Sequence, residues 1–281
     1  MNQVIVRIGR DEHGDDLELD LAEPYHWAIQ GTTRSGKSNL VYCLLHEVLA
    51  FDNVVIAGCD PTGIIFGPMQ ALPGSELRAF GAREIRQSET VMVRLVDEMD
   101  ARIERLLAQG RDKFEDFDST SPLVVILMEE YSGLLAAAES LDVADGSRGA
   151  QRIAPALARM TQRLVQESAK VGFRVILLTQ RAEASALGSA LRANLSIRLS
   201  LRADNADAVR LLHPDAEPQA VARLLHASPG QGLIDRPGNK STQFRADRLD
   251  YREFAKLPPH LWTTNVLDSR DNLEGDTASE R

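Results

Sequence analysis

Short runs of apolar residues alternate with longer segments of helical periodicity along most of the chain. The run 123–128 is apolar without interruption, which is typical of a parallel strand buried on both faces of a sheet. Residues 88–109 carry apolar side chains three or four positions apart and end at Gly110, as an amphipathic helix does. Such alternation predicts an α/β fold with a doubly wound, mostly parallel sheet. The predicted strands are 27–30, 53–58, 123–128, 172–179, 195–201, 232–235 and 242–246, and the predicted helices are 39–50, 88–109, 155–170, 205–212 and 218–226.

Both ends of the chain depart from this alternation. Apolar residues at 4–8 and 17–21 flank a polar stretch with a glycine, which predicts an N-terminal β-hairpin. Residues 269–281 are polar and lack periodicity, so they are predicted to be disordered. Within the chain, residues 136–151 are rich in Ala, Gly, Asp and Ser, which predicts an inserted loop. The expected boundaries are a hairpin extension over 1–24, one α/β domain over 25–255 and a C-terminal tail over 256–281.

Composition narrows the class of protein. The chain has 281 residues, of which 43% are hydrophobic, and a net charge of −9. That charge argues against a surface coated in basic residues, so any contact with nucleic acid has to be local. The longest purely apolar run, 123–128, is far shorter than the ~20 residues of a membrane-spanning helix. Cys43 and Cys59 fall in predicted buried elements without metal-ligand spacing, which favours reduced thiols in a cytoplasmic protein.

Residues 31–38 match the phosphate-binding pattern G-x-x-x-x-G-K-[ST] at every fixed position. In such a loop, backbone N–H groups surround the phosphates, the lysine reaches the β- and γ-phosphates, and the last hydroxyl ligates Mg²⁺. The alternative is a glycine–serine turn with an unrelated lysine. A predicted strand before the loop and a predicted helix after it favour the nucleotide site, because the helix dipole supports an anion there. The residues expected to bind ATP are Gly31, Thr32, Thr33, Arg34, Ser35, Gly36, Lys37, Ser38 and Asn39.

Two carboxylates follow the apolar run 123–128 and resemble a Walker B element. Glu129 is expected to hold Mg²⁺ together with Ser38, and Glu130 is expected to polarise the attacking water. Aspartate is usual at the first position, and a glutamate places its carboxylate about 1.5 Å farther out. The alternative is a pair of exposed acids at a strand end. Gln180 also follows a predicted strand, at the edge of the sheet where ligands gather in open α/β folds.

The ordered set of motifs resembles the motor domain of the FtsK/SpoIIIE family of DNA-translocating ATPases. The similarity extends from about residue 4 to residue 250. It is carried by Gly9-Arg10-Asp11 to Gly14, His26, the Walker loop, Glu98-Met99-Asp100-Ala101-Arg102, Pro122 to Leu134, Thr179-Gln180-Arg181, Arg192-Ala193-Asn194 to Arg198, Ala216-Glu217, Leu224-Leu225 and Gly230 to Leu233.

This resemblance implies a RecA-like P-loop ATPase that uses ATP and Mg²⁺. Family members are hexameric rings that thread double-stranded DNA through a central pore and hydrolyse ATP between subunits. Three residues depart from the family pattern: Arg34 replaces a glycine, Glu129 an aspartate and Ala182 a proline. The family's membrane-spanning region and winged-helix module are not recognised in this sequence, so a stand-alone motor of plasmid, integrative-element or phage type is expected.

Two groups of arginines are candidates for the expected contacts with DNA and with a neighbouring subunit. Motors of this kind contact phosphates rather than bases. The DNA candidates are Arg148 and Arg152 beside the predicted insert, and Arg159 and Arg163, which share a polar helix stripe with Gln166 and Lys170. The alternative for that stripe is an ordinary solvated helix face. Arginine also suits a cation donated to the neighbouring ATP site. Arg198 is the leading candidate, with Arg192 and Arg181 as alternatives, and the competing interpretation is an intrachain contact.

The expected catalytic residues are therefore Lys37, Glu129, Glu130, Gln180 and Arg198. Two other functions stay open on the sequence. Related motor domains act in protein secretion, on proteins rather than DNA. A nucleotide-dependent binding switch is also compatible, with turnover lost through the unusual Glu129 and Arg34.

Overall fold

Ten strands form one sheet in the computed structural model, which describes residues 3–72, 74–81 and 84–256. Their order across the sheet is β2-β1-β10-β9-β8-β3-β7-β6-β4-β5. The six strands from β8 to β5 run parallel, and the four at the other edge pair antiparallel. The strands are β1 Ile5–Asp11, β2 Asp16–Asp20, β3 His26–Gln30, β4 Val54–Asp60, β5 Arg78–Phe80, β6 Leu123–Met128, β7 Phe173–Thr179, β8 Leu195–Leu201, β9 Gln231–Asp235 and β10 Thr242–Ala246.

Helices cover both faces of the parallel strands, which confirms the predicted doubly wound α/β fold. The helices are α1 Lys37–Val48, α2 Ile85–Ala108, α3 Tyr131–Ala144, α4 Ile153–Glu167, α5 Ser189–Asn194, α6 Ala206–Leu212, α7 Pro218–Leu225 and α8 Tyr251–Phe254. Successive residues of β6 belong to two different cores: Val125 and Leu127 pack on the side of α1, and Val124 and Ile126 on the side of α2, α3 and α4. This two-sided burial explains why the run 123–128 is apolar at every position.

The N-terminal strands β1 and β2 pair antiparallel, as the sequence predicts, and β1 also pairs with β10. The backbones of β1 and β10 approach closely at Gly9, where an added Cβ would lie 2.1 Å from the carbonyl oxygen of Arg245. A side chain there would push the two strands apart, so glycine is needed for the pairing. The hairpin therefore continues the sheet beyond β10.

The prediction of an inserted loop over 136–151 is wrong. Residues up to Ala144 belong to α3, and a short helical turn follows at Gly149–Gln151. Alanine is the strongest helix former, and Leu134 and Ala138 give the segment a buried stripe against α4. The alanines therefore signal a helix rather than a loop. The predicted tail, 256–281, lies outside the described residues except for Lys256.

Candidate nucleotide-binding site

The loop between β3 and α1 is folded tightly around its two glycines. A Cβ on Gly31 would lie 2.4 Å from the hydroxyl oxygen of Ser35, and one on Gly36 would lie 2.7 Å from the backbone nitrogen of Gly230. Gly36 also has a φ of 99°, which side chains rarely allow. Arg34 has a φ of 63°, so the usual glycine at this position would adopt the same backbone with less strain. Its side chain is exposed.

Backbone donors in this loop are left free in a way that fits phosphate oxygens. The N–H groups of Arg34, Gly36, Lys37 and Ser38 donate to no acceptor among the described residues. By contrast, the N–H of Ser35 closes a turn on the carbonyl of Thr32 at 3.0 Å. The free donors lie at the N-terminus of α1, where the helix dipole adds positive potential. This geometry suits a nucleoside triphosphate.

Three sequence-distant residues meet beside the loop. The Nζ atom of Lys37 lies 3.1 Å from Oε2 of Glu130, and both side chains are largely buried. The other oxygen of Glu130 accepts a hydrogen bond from the backbone N–H of Gln180 at 3.2 Å. Glu130 adopts the left-handed backbone conformation, with φ at 46°, just before α3. Non-glycine residues are found there when the surrounding structure holds them, often at functional sites.

Glu129 occupies a different environment from its neighbour. Its Oε2 atom is buried and has no hydrogen-bond partner among the described residues. Burial raises the pKa of Glu129 to about 7, Lys37 partly offsets this, and the charges of Asp60 and Glu130 add to it. An unpaired buried carboxylate oxygen is a suitable ligand for Mg²⁺, directly or through water. Ser38, whose hydroxyl is exposed at the start of α1, would supply the second ligand.

Two residues of the site escaped sequence analysis. Asp60 is fully buried, and its carboxylate accepts hydrogen bonds from the backbone of Thr62, Gly63, Ile65 and Phe66. It thereby fixes the loop after β4, the strand that pairs with β6. The Asp-Pro pair that ends the β-branched run is the sequence signal for such a turn.

Arg202, at the end of β8, is the other missed residue. Its carbonyl accepts hydrogen bonds from both the backbone N–H and the hydroxyl of Thr32, each at 3.0 Å, and its Nη2 donates to the carbonyl of Thr33 at 3.2 Å. A cleft of about 450 Å³ opens at this place, lined in part by Thr32, Gln180, Arg181 and Arg202. No motif marks Arg202, because its contacts depend on the neighbouring position of β3 and β8.

Several predicted residues are engaged elsewhere. The side-chain amide of Asn39 donates to the carbonyl of Asp247 at 2.5 Å and accepts from the N–H of Leu249 at 2.9 Å. It therefore ties the segment after β10 to α1. The guanidinium of Arg198 donates to three carbonyls of its own chain, those of Leu195, Arg192 and Leu212. The side chain of Arg192 donates to the carbonyl of Leu187.

The candidate DNA-contacting arginines divide into paired and unpaired side chains. Arg163 binds the carboxylates of both Asp100 and Glu167, each at 2.8 Å. Arg152 lies 3.8 Å from the buried carboxylate of Asp142. Arg148 and Arg159 are exposed and make no ion pair with the described residues.

A mostly parallel sheet with a phosphate-binding loop after β3 and paired acids after the nearby β6 defines a P-loop ATPase. No helix in the described ranges is both long and apolar enough to cross a membrane. The chain belongs to the FtsK/SpoIIIE family, whose profile matches residues 1–228.

Known relatives agree with this assignment. Proteins named DNA translocase FtsK from Chlamydia pneumoniae and Mycobacterium tuberculosis are 26% and 24% identical, over 72% and 82% of this chain. The chain spans about a quarter of their length, 26% and 28% respectively.

Solved structures share the fold at low identity. The pCW3 conjugation coupling protein TcpA, in monomer form with ATPγS, has a TM-score of 0.66 and 19% identity, covering 90% of this chain and 70% of that one. The cytoplasmic domain of the type VII secretion ATPase EccC of Thermomonospora curvata has a TM-score of 0.65 and 21% identity, covering 94% and 32%.

Proposed function

We propose that this chain is an ATP-driven motor that moves double-stranded DNA as a hexameric ring, of the kind carried by plasmids, integrative elements or phages. Its family membership supports DNA as the partner. The observation that supports ATP hydrolysis is the contact of Glu130 with both Lys37 and the backbone of Gln180. These residues follow three adjacent strands, β3, β6 and β7. We place the motor in the cytoplasm, in line with its free buried cysteines.

In this proposal, the free N–H groups of the loop and Lys37 bind the triphosphate. Glu130 accepts the proton of the attacking water, and Gln180 contacts the reacting end of the nucleotide. Because Glu130 pairs with Lys37, phosphate oxygens have to take over the lysine's charge before Glu130 is free for water. A magnesium ion held by Ser38 and Glu129 would neutralise charge on the phosphates.

DNA binding in this proposal rests on a few local cations, since the chain as a whole is acidic. Arg148 and Arg159 are the best placed, because their side chains are exposed and unpaired among the described residues. Such contacts with phosphates are tolerant of sequence and weaken steeply with salt. We therefore expect weak binding by a single subunit and stronger binding by a ring.

The test is the rate of ATP hydrolysis with and without double-stranded DNA. Strong stimulation by DNA supports the translocase. Equal rates favour a motor that acts on protein, as in secretion. Tight ATP binding without turnover favours a binding switch, with Glu129 and Arg34 as the cause.

A further inference from the structure

A chain of buried polar side chains lies beneath the nucleotide site and has no part in the function described so far. It begins at Gln30, the last residue of β3, which is 1% exposed. The Nε2 atom of Gln30 donates to the hydroxyl of Ser200 at 2.7 Å and to the carbonyl of Ala208 at 3.0 Å. The same hydroxyl lies 2.7 Å from Nε2 of His213.

The chain continues to the antiparallel edge of the sheet. The Nδ1 atom of His213 lies 2.9 Å from the carboxylate of Asp235 on β9. Asp235 also accepts a hydrogen bond from the hydroxyl of Ser241 at 2.6 Å. A polar chain of this kind is costly to bury unless its members satisfy one another.

The pattern of donors fixes the orientation of the Gln30 amide. The carbonyl of Ala208 can only accept, so it requires the amide nitrogen of Gln30 on its side, and the hydroxyl of Ser200 accepts from the same nitrogen. With Nε2 of Gln30 facing Ser200 and Ala208, Oε1 faces the opposite way. There it accepts a hydrogen bond from the buried backbone N–H of Ala182 at 2.9 Å. A flipped amide would place two donors against each other.

That last contact reaches the loop that carries Gln180 and Arg181. Three hydrogen bonds hold the loop: Gln30 accepts from Ala182, Glu130 accepts from the N–H of Gln180, and the hydroxyl of Thr179 donates to the carbonyl of Arg181 at 2.8 Å. The side chains of Gln180 and Arg181 are exposed on this loop, at the cleft beside Thr32 and Arg202. Gln30 directly precedes the phosphate-binding loop, so it joins the two loops that flank the reacting end of a nucleotide.

We propose that Gln30 is a positioning residue for ATP hydrolysis. It holds the loop of Gln180 and Arg181 at a fixed distance from the phosphate-binding loop, and the carbonyl of Ala208 and the hydroxyl of Ser200 keep its amide in the required orientation. The inference rests on the proposed role of Gln180 in hydrolysis. It does not require Gln30 to touch the nucleotide.

Gln30→Met tests this role, because methionine has a similar shape and no amide. We expect ATPγS to bind within about threefold of the native affinity, while single-turnover hydrolysis falls at least about tenfold, since small displacements of catalytic groups have such effects. Amide hydrogen exchange should become faster in peptides that cover 179–183. Peptides that cover 31–40 should keep their native exchange.

Ser168→Ala is the matched control. Ser168 is also fully buried, and its hydroxyl donates to the carbonyl of Leu164 at the end of α4. The control should keep both the hydrolysis rate and the exchange of 179–183. The proposal would be overturned if Gln30→Met kept both the native rate of hydrolysis and the native amide exchange of 179–183. It would also be overturned if ATPγS binding and hydrolysis fell equally and amide exchange became faster throughout the protein.

Ser200→Ala keeps the proposal testable if Gln30→Met does not fold. It removes one acceptor of the Gln30 amide and leaves the contact with Ala182, so exchange at 179–183 should rise and hydrolysis should fall by a smaller factor. Native values for both in a folded Ser200→Ala would contradict the orienting role. Gln180→Ala separates the proposed role of Gln180 from that of Gln30. Native hydrolysis in Gln180→Ala would refute the role of Gln180 in hydrolysis. Faster amide exchange of 179–183 in Gln30→Met would still show that Gln30 holds the loop.

Discussion

At the scale of single residues, two adjacent carboxylates have different surroundings. Glu130 pairs with Lys37 and accepts from the backbone of Gln180, whereas Glu129 keeps a buried oxygen without a partner among the described residues, and burial raises its pKa to about 7. Different environments give neighbouring acids different roles. We assign the metal to Glu129 and the water to Glu130.

Substitutions of these residues test the assignment. Lys37→Ala should lose nucleotide binding, because the lysine supplies the charge that faces the phosphates. Glu130→Gln should still bind ATP but hydrolyse it ~10²-fold or more slowly, since the general base is lost. Binding of a fluorescent ATP analogue and release of phosphate measure the two effects. Normal turnover in Glu130→Gln together with failure of Glu129→Gln would reverse the assignment.

His26 gives a residue-scale prediction on acid stability. Its Nδ1 accepts a hydrogen bond from the N–H of Val175 at 2.9 Å, and burial, with a smaller effect of Arg174, lowers its pKa to about 3. Between pH 6.5 and 3 the unfolded chain therefore binds a proton that the folded chain does not. The free energy of unfolding should fall as pH drops, by up to about 1.4 kcal/mol per unit from this group.

Urea unfolding at about pH 7, 6 and 5 measures this fall. His26→Asn, whose side-chain oxygen can accept from Val175, should show a shallower decline than the native protein. His46→Asn is the control, since His46 is 45% exposed. If the free energy of unfolding fell equally with pH in the native protein and in His26→Asn, the assignment of acid sensitivity to His26 would be refuted.

At the scale of elements, α3 and α4 depend on one another through Asp142. This residue of α3 is 2% exposed, and its two oxygens accept from the N–H groups of Ile153 at 2.7 Å and Ala154 at 3.0 Å. Asp142 thus satisfies the first donors of α4, which carries no cap of its own. The helix starts at Ile153, two residues before the proline from which the sequence predicts it.

Asp142→Ala should lower the free energy of unfolding by about 1–2 kcal/mol, the cost of a lost helix cap. Asp142→Asn should lose less free energy of unfolding, because one side-chain oxygen remains to accept a hydrogen bond. Chemical denaturation measures both, with Glu139→Ala, at an exposed position of α3, as the control. An unchanged free energy of unfolding in Asp142→Ala would mean that packing alone determines where α4 begins.

The start of α4 is also where DNA contacts are proposed. Removing Arg148 and Arg159 together should reduce the stimulation of ATP hydrolysis by DNA and leave the basal rate intact. The logarithmic salt slope of DNA binding should become shallower by about one for each DNA phosphate that the variant no longer neutralises. Arg163→Ala is the matched control, because Asp100 and Glu167 already pair with that arginine. Unchanged stimulation in the double variant would exclude this segment from the DNA path.

At the scale of the whole molecule, the proposed ring reconciles an acidic chain with a DNA partner. The net charge is −9, so in such a ring positive charge has to be concentrated where subunits surround DNA. An arginine given to the neighbouring site would also link hydrolysis to assembly. Arg198 binds three carbonyls of its own chain, whereas Arg181 is exposed and unpaired among the described residues. The two are therefore best tested side by side.

Mixed rings provide that test. Arg181→Ala and Arg198→Ala subunits keep their own phosphate-binding loop, and Lys37→Ala subunits keep both arginines. If an arginine acts on the neighbouring site, its variant and Lys37→Ala should each be inactive alone and recover part of the ATP hydrolysis when mixed. Normal hydrolysis in assembled rings of one arginine variant alone would exclude that arginine.

Local patterns in the sequence account for much of the fold and of the candidate site. The phosphate-binding loop could be located because its glycines, Lys37 and Ser38 act within one short segment. The parallel strands could be located because burial on both faces leaves a continuous apolar run such as 123–128. The prediction of a loop over 136–151 fails because Gly, Asp and Ser were given more weight than the alanines, which favour the helix α3 that packs against α4.

The sequence by itself determined the fold class and the family, since apolar periodicity indicates the first and an ordered set of short motifs the second. The roles of the loop and of its two acids stay predictions. Only the tertiary structure decided which arginines are already paired, as in Arg163 and Arg198, and which polar groups Gln30 connects. Arg163 pairs with Asp100, which lies 63 residues away. The contacts of Gln30 join segments that are far apart in sequence, 170 residues in the case of Ser200. Their geometry follows from the order of β3, β7 and β8 in the sheet, which no local pattern contains.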